Sequence, residues 1–391
     1  MAIFGVFLLL GCTSFGGPVA HLGYFREAFV RRRQWLNEQA YADLVALCQF
    51  LPGPASSQVG FMLGYQRGGF AGALAAWLGF TLPSAVLLML FAMGLDKWGS
   101  GPAADVIAGL VQGLKVVAVA IVAQAVWGMA KALCPDPPRQ ALMITVAGVL
   151  LLAPHVWMQL IVLVLAAILG GFLFAAPDLP SPLDRAQTVS RRVGYCALSL
   201  FFTLLVVLPL LAWLSPSGTL LVIDAFYRAG ALVFGGGHVV LPLLEAEVVG
   251  NGWLELDRFM AGYGAAQAIP GPLFTFAAFL GAAIAPSSSV WLGGLIAVVA
   301  IFLPAFLLLV GVYPFWAELS QKRGVRRALV GVNAAVVGIL LAALIHPIST
   351  SALVDWRTGV LAVLAVIALM LARVAPWLVV VGCATVGALF L

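Results

Sequence analysis

Two short motifs in this chain each end one apolar helix and begin another, and each occurs twice. Phe15-Gly16-Gly17-Pro18 returns as Phe234-Gly235-Gly236-Gly237, and Pro52-Gly53-Pro54 returns as Pro270-Gly271-Pro272. Proline suits the first position of a helix, where its missing N–H is not needed. Glycine permits the sharp turn that precedes it. A helix that starts this way inside an apolar run exposes unpaired N–H groups and the positive end of its dipole. In a low-dielectric setting such an end suits an anion. Ser56 and Ser57 follow Pro54, and Thr275 follows Pro272, so hydroxyl donors stand in the first turn of the new helices. Simple kinks or tight helix contacts are the bland alternative. Four breaks in duplicated positions argue against it.

Ionisable residues inside apolar segments are functional candidates by default. Lys115 stands alone in Gly113-Leu114-Lys115-Val116-Val117-Ala118, and its counterpart in Gly331-Val332-Asn333-Ala334 is Asn333. Counted from the Phe-Gly-Gly motifs, Arg26 corresponds to Glu245. The copies thus agree in apolar and helix-breaking residues and differ in charge. A buried cation in one half suits an anionic substrate, or Lys115 snorkels or forms a structural pair. Arg26 belongs either to the site or to a cytoplasmic cluster of arginines. Glu245 reads as a carboxylate that couples transport to a proton, or as part of a solvated loop. His21 and His238, just beyond the glycine breaks, titrate near neutral pH or bond a freed carbonyl.

The elements that must position these residues are membrane helices. The chain is 63% hydrophobic and 9% charged, with mean hydropathy +1.10, and its charges cluster between apolar runs of about 20 residues, enough to span a bilayer. The fold class is therefore an all-α polytopic membrane protein. Serial alternation of apolar and polar residues, the mark of a membrane β-barrel, is missing. Met1 leads straight into apolar sequence, which reads as no signal peptide. The five cysteines are scattered and read as apolar filler. No Walker motif and no His-Glu-x-x-His occurs, so neither ATP hydrolysis nor metalloprotease chemistry is expected. No cofactor or metal is expected, and nothing resembles a nucleic-acid surface.

The spacing predicts two interrupted segments at 3–31 and 38–66, then helices at 69–95, 103–132, 139–153 and 156–175. A polar linker from Asp178 to Arg192 leads to an unpaired helix at 193–214. The order then repeats at 219–249, 256–285, 289–316, 325–346, 353–372 and 374–391. The expected division is a first repeat at 1–177, a linker and helix at 178–217, and a second repeat at 218–391. If the interrupted segments are re-entrant hairpins, most Lys and Arg fall on one side, as the positive-inside rule requires. Five full crossings then separate the two sets of hairpins, an odd number, so the halves are inverted relative to each other. Duplicated halves with Gly/Pro-broken helices at matching places are the sequence signature of a secondary transporter.

At these residues the chain resembles the chromate ion transporter family of bacteria. The carrying stretches are Ser14-Phe15-Gly16-Gly17-Pro18, Trp35-Leu36, Gln49-Phe50-Leu51-Pro52-Gly53-Pro54, Gly113-Leu114-Lys115, Phe234-Gly235-Gly236-Gly237, Gly252-Trp253-Leu254, Ile269-Pro270-Gly271-Pro272 and Gly331-Val332-Asn333-Ala334. The resemblance implies a two-domain carrier of the inner membrane that exports chromate, confers chromate resistance and meets sulfate as analogue or competitor. It implies no enzyme activity. The third residue of the first break is Pro18 where the second copy has Gly237, and the start looks short. Carriage of another oxyanion such as sulfate, an anion channel, and a homodimer stay open.

Overall fold

The computed structural model describes residues 2–98, 104–153, 156–175, 189–215, 217–234, 237–285 and 289–391. Every regular element among them is helical. In the first half these are α1 (Ala2–Thr13), α2 (Gly17–Phe25), α3 (Glu38–Phe50), α4 (Ala55–Trp98), α5 (Ala104–Leu133), α6 (Pro137–Leu152) and α7 (Val156–Leu173). α8 (Arg191–Leu214) stands between the halves. The second half holds α9 (Gly218–Leu232), α10 (Val240–Val248), α11 (Leu256–Ala268), α12 (Phe276–Ile284), α13 (Val290–Val312), a short α14 (Trp316–Leu319), α15 (Arg323–Ala343), a short α16 (Thr350–Ala352), α17 (Trp356–Met370) and α18 (Pro376–Phe390). The linker expected at 178–192 falls largely outside the described residues.

Helix starts follow local chemistry. The Asn37 side chain accepts the Ala40 N–H at 2.8 Å and caps α3. Asp136 with Pro137 opens α6, and Asp355 forms a capping box with Thr358 ahead of α17. α4 is two helices, residues 55–67 and 70–98, joined across Gly68 and Gly69. Among the described residues, five helical stretches are long and apolar enough to cross a membrane: Ala55–Lys97, Ala104–Leu133, Arg191–Leu214, Val290–Leu319 and Arg323–Ala352. Phe172, Val206 and Trp213 point outward from α7 and α8. An apolar exterior of this kind belongs in lipid.

The four interrupted segments fold back on themselves. Phe7 of α1 stacks on Phe29, ring centres 5.0 Å apart, and meets Phe25 at 5.8 Å; both partners lie past the glycine break. The Arg67 guanidinium lies 5.2 Å from the Trp35 ring, which joins the two ends of the second segment. Arg228 of α9 bonds Glu247 of α10. Phe276, the first residue of α12, meets Phe259 and Tyr263 of α11 at 5.1 and 5.8 Å. A helix running straight on past its break could not make such contacts.

Corresponding helices of the two halves run antiparallel. Trp77 of α4 packs against Phe302 and Phe306 of α13, while Met89, farther along α4, abuts Gly294, nearer the start of α13. The halves also exchange partners. α5 packs on α18, and α15 packs on α7. At the closest points Gly113 meets the Cys383 backbone, and its counterpart Gly331 meets the Ala166 backbone, with no room for a Cβ at either.

Candidate functional site

The breaks are tied to one another near the middle of the long helices. The Gly271 N–H donates to the Ser14 carbonyl at 3.0 Å, and the Gly53 N–H donates to the Val233 carbonyl at 2.7 Å. Ser14 and Val233 occupy matching positions immediately before the two Phe-Gly-Gly motifs. The same bond is therefore made twice, with the halves exchanged. Gly53 and Gly271 hold φ of +116° and +112°, a region that favours glycine. A Cβ there would lie 2.5 Å from Ala305 Cβ and 2.7 Å from Ser84 Oγ respectively. Ser84 and Ala305 sit near the middle of the long helices of each half, which sets the depth. Gly237 joins the third break to the first, since a Cβ on it would stand 3.2 Å from Pro18 Cγ. Gly235 and Gly236 lie outside the described residues.

The first break begins α2 with Gly16 and Gly17 at positive φ and Pro18 in the first turn. Fully buried His21 braces it: Nε2 lies 3.2 Å from the Ser14 carbonyl, and Nδ1 lies 3.4 Å from Ser56 Oγ at the second break. Phe15 packs on Trp377, ring centres 5.6 Å apart. At the second break the Pro52 carbonyl accepts from Gln58 Nε2 at 2.9 Å, and that amide also reaches the Ala305 carbonyl at 3.2 Å. Thr275 Oγ1 donates to the Pro272 carbonyl at 2.6 Å, so this hydroxyl stabilises its own turn.

A small cavity of about 60 Å³ lies among the first, third and fourth breaks. Its lining includes Gly16, Gly17, Gly271, His238, Gln124 and Gln267. His238 Nδ1 is 2.9 Å from the Tyr263 hydroxyl. Gln267 Nε2, Ser14 Oγ and Ser57 Oγ are buried and find no hydrogen-bond partner among the described residues. Buried polar atoms are normally satisfied, so these three stand out at the breaks.

The charged candidates stand elsewhere. Lys115 is buried, but its Nζ pairs with Asp257 Oδ1 at 2.8 Å, at the start of α11. It precedes Ile121, a cavity residue, by six positions, or about 9 Å of helix. Arg26 is half exposed and pairs with Glu38 at 2.7 Å, and this hydrogen bond holds the Glu38 carboxyl below its usual range. Asn333 is partly buried on α15. Glu245 lines a different cavity.

Several residues escape a reading of the sequence. Gln124 is one polar residue in an apolar helix, a weak signal. Gln267 is visible only as the first residue of its motif. Asp257 and the Asp224–Arg228–Glu247 cluster reveal themselves only through distant partners.

A bundle of apolar helices, several of them long enough to cross a bilayer, defines a polytopic helical membrane protein. The chain belongs to the chromate transporter family, whose family model matches residues 1–172 and 220–388. It is 27% identical to an uncharacterized transporter of Methanocaldococcus jannaschii over 94% of this chain and 89% of that one. It is 25% identical to a chromate transport protein of Pseudomonas aeruginosa, covering 86% of this chain and 78% of the other. It is 27% identical to a chromate transport protein of Cupriavidus metallidurans, covering 97% and 90%. No solved structure matches.

Proposed function

We propose that this protein carries chromate out of the cell across the bacterial inner membrane and so confers chromate resistance. One observation supports the reading above the others: residues of the first, third and fourth breaks line one cavity, and the exchanged bonds Gly53 to Val233 and Gly271 to Ser14 tie the two halves together beside it. Chromate is a tetrahedral dianion. At this point the helix starts at Gly17 and Leu273, the Gln124 and Gln267 amides and the His238 imidazole replace its hydration shell. Fixed neutral donors of this kind hold an anion without the tight grip of a buried cation, so release stays easy. His21 holds the first two breaks in register, and Ser56, Ser57 and Thr275 line the starts of the returning arms.

The antiparallel course of α4 and α13, and the exchange of partners between α5–α18 and α15–α7, support an inverted repeat divided at residues 178–217. Rocking one half against the other then exposes the breaks to each side in turn. Export moves a dianion out of a negative interior, which makes about 2.3 kcal/mol per charge per 100 mV available.

Chromate flux in proteoliposomes at clamped voltage tests this. Saturable efflux that rises with inside-negative potential is the expected result. Flux that does not saturate indicates a channel, and sulfate flux untouched by excess chromate indicates another cargo. Either result overturns the proposal.

A further inference from the structure

A second cavity, about 220 Å³, lies between the halves and carries the opposite chemistry. Glu245 of α10 faces it, together with Gln159 of α7 and His346 in the turn after α15. Gln159 Oε1 is buried and accepts no hydrogen bond among the described residues. Glu245 pairs with no cation among the described residues. His346 Nδ1 is engaged by Thr350 Oγ1 at 3.1 Å, which turns its other nitrogen away from that partner. The polar atoms offered here are thus an unpaired carboxylate, an orphaned amide oxygen and an imidazole. All can accept, and they carry one negative charge.

The geometry points to a monovalent-cation site in this cavity, with Glu245 as the charged ligand and Gln159 as its neutral partner. A single half-buried carboxylate is neutralised by one proton or one sodium ion, whereas a divalent ion beside it leaves a net positive charge in apolar surroundings, which is costly. The site deepens the transport proposal and rests on it, because the same hairpin arm serves both cavities. His238 begins that arm and lines the anion cavity, and Glu245 stands on α10 directly beyond it. Gln159 belongs to the first half and Glu245 to the second, so a rocking motion alters their separation. Occupancy of the cation site thereby biases which way the anion site opens.

Other charges nearby are already committed. Glu247, on the same helix, is bonded to Arg228, which also holds Asp224. On α11, Asp257 is held by Lys115 and Arg258 by Asp96. The basic residues of α15 cluster at its start, more than three turns before Ile339 of the cavity. Among the described residues, His346 is the remaining titratable group that lines the cavity with Glu245.

Two measurements test the site. In the first, purified protein is titrated with sodium chloride in a choline background, and its proton uptake is followed from mildly alkaline to mildly acidic pH. Wild type should take up one sodium or one proton equivalent that Glu245→Gln lacks, and Gln159→Leu should weaken that uptake about tenfold. Equal uptake by all three proteins overturns the site. Should Glu245→Gln fail to fold, Gln159→Leu decides, since it removes an orphaned polar atom and leaves every charge in place.

In the second, proteoliposomes are given a sodium gradient, a pH gradient or neither. One gradient should speed chromate accumulation about tenfold in wild type and not in Glu245→Gln, while chromate-for-chromate exchange persists in both. Accumulation by Glu245→Gln that follows the gradients as wild type does overturns the coupling role. Absence of any chromate exchange in wild type instead contradicts the transport proposal, and the binding measurement then judges the cation site alone.

Discussion

Gly53 and Gly271 carry most of the geometry at the level of single residues. Each holds a left-handed backbone, donates its N–H to the opposite half and leaves no space for a side chain. Alanine at either place adds strain of about 1–3 kcal/mol and pushes the break off its partner. Gly53→Ala and Gly271→Ala should therefore lower the unfolding temperature in detergent and cut chromate flux at least tenfold, as measured in proteoliposomes. Their pseudo-equivalence makes the stronger demand that both lose flux to a similar extent. Gln267→Leu removes a donor that bonds nothing among the described residues. Its flux should fall about tenfold, the worth of about one hydrogen bond to a charged group, with the unfolding temperature unchanged or raised. A variant that unfolds early while moving chromate normally would assign Gln267 to packing.

At the level of elements, the helix breaks were legible in the sequence and the ion pairs were not. Glycine and proline punctuate a helix through their own backbone limits, so Gly16-Gly17-Pro18 and Pro52-Gly53-Pro54 announce their turns without help from any partner. Lys115 is different. Its isolation in an apolar helix signals a buried cation, but the group that answers it, Asp257, lies on a hairpin of the other half. Sequence spacing holds no trace of that meeting. The pair is unequal: the Lys115 side chain is 4% exposed and that of Asp257 is 62% exposed. Asp257→Asn strands a buried ammonium and should cost about 1–3 kcal/mol, less than a fully buried pair because the carboxylate is solvated. Lys115→Met leaves only a solvated carboxylate and should cost less. Thermal unfolding of the two variants checks the order; a less stable Lys115→Met would contradict it.

On the scale of the whole molecule, the architecture is two interlocked halves whose shared interior is assembled from both. Trp77 faces Phe302 because α4 and α13 run in opposite directions. Cysteines replacing these two residues should be joined by a short bifunctional thiol reagent, and cysteines at positions 89 and 314 should not, because Met89 abuts Gly294 instead. Efficient joining of the second pair would mean that the two helices run in the same direction. The exchange of last helices also predicts that neither half folds alone, since α5 needs α18 and α15 needs α7. Each half expressed separately should be degraded, and the two expressed together should restore flux.

Locating chromium in the protein itself tests the central claim most directly. Crystals grown with chromate give an anomalous signal from the metal atom. The account places that peak in the cavity between Gly16, Gly17 and Gly271, within reach of the Gln267 amide. A peak beside Lys115 and Asp257 instead, with the convergent turns empty, would contradict it.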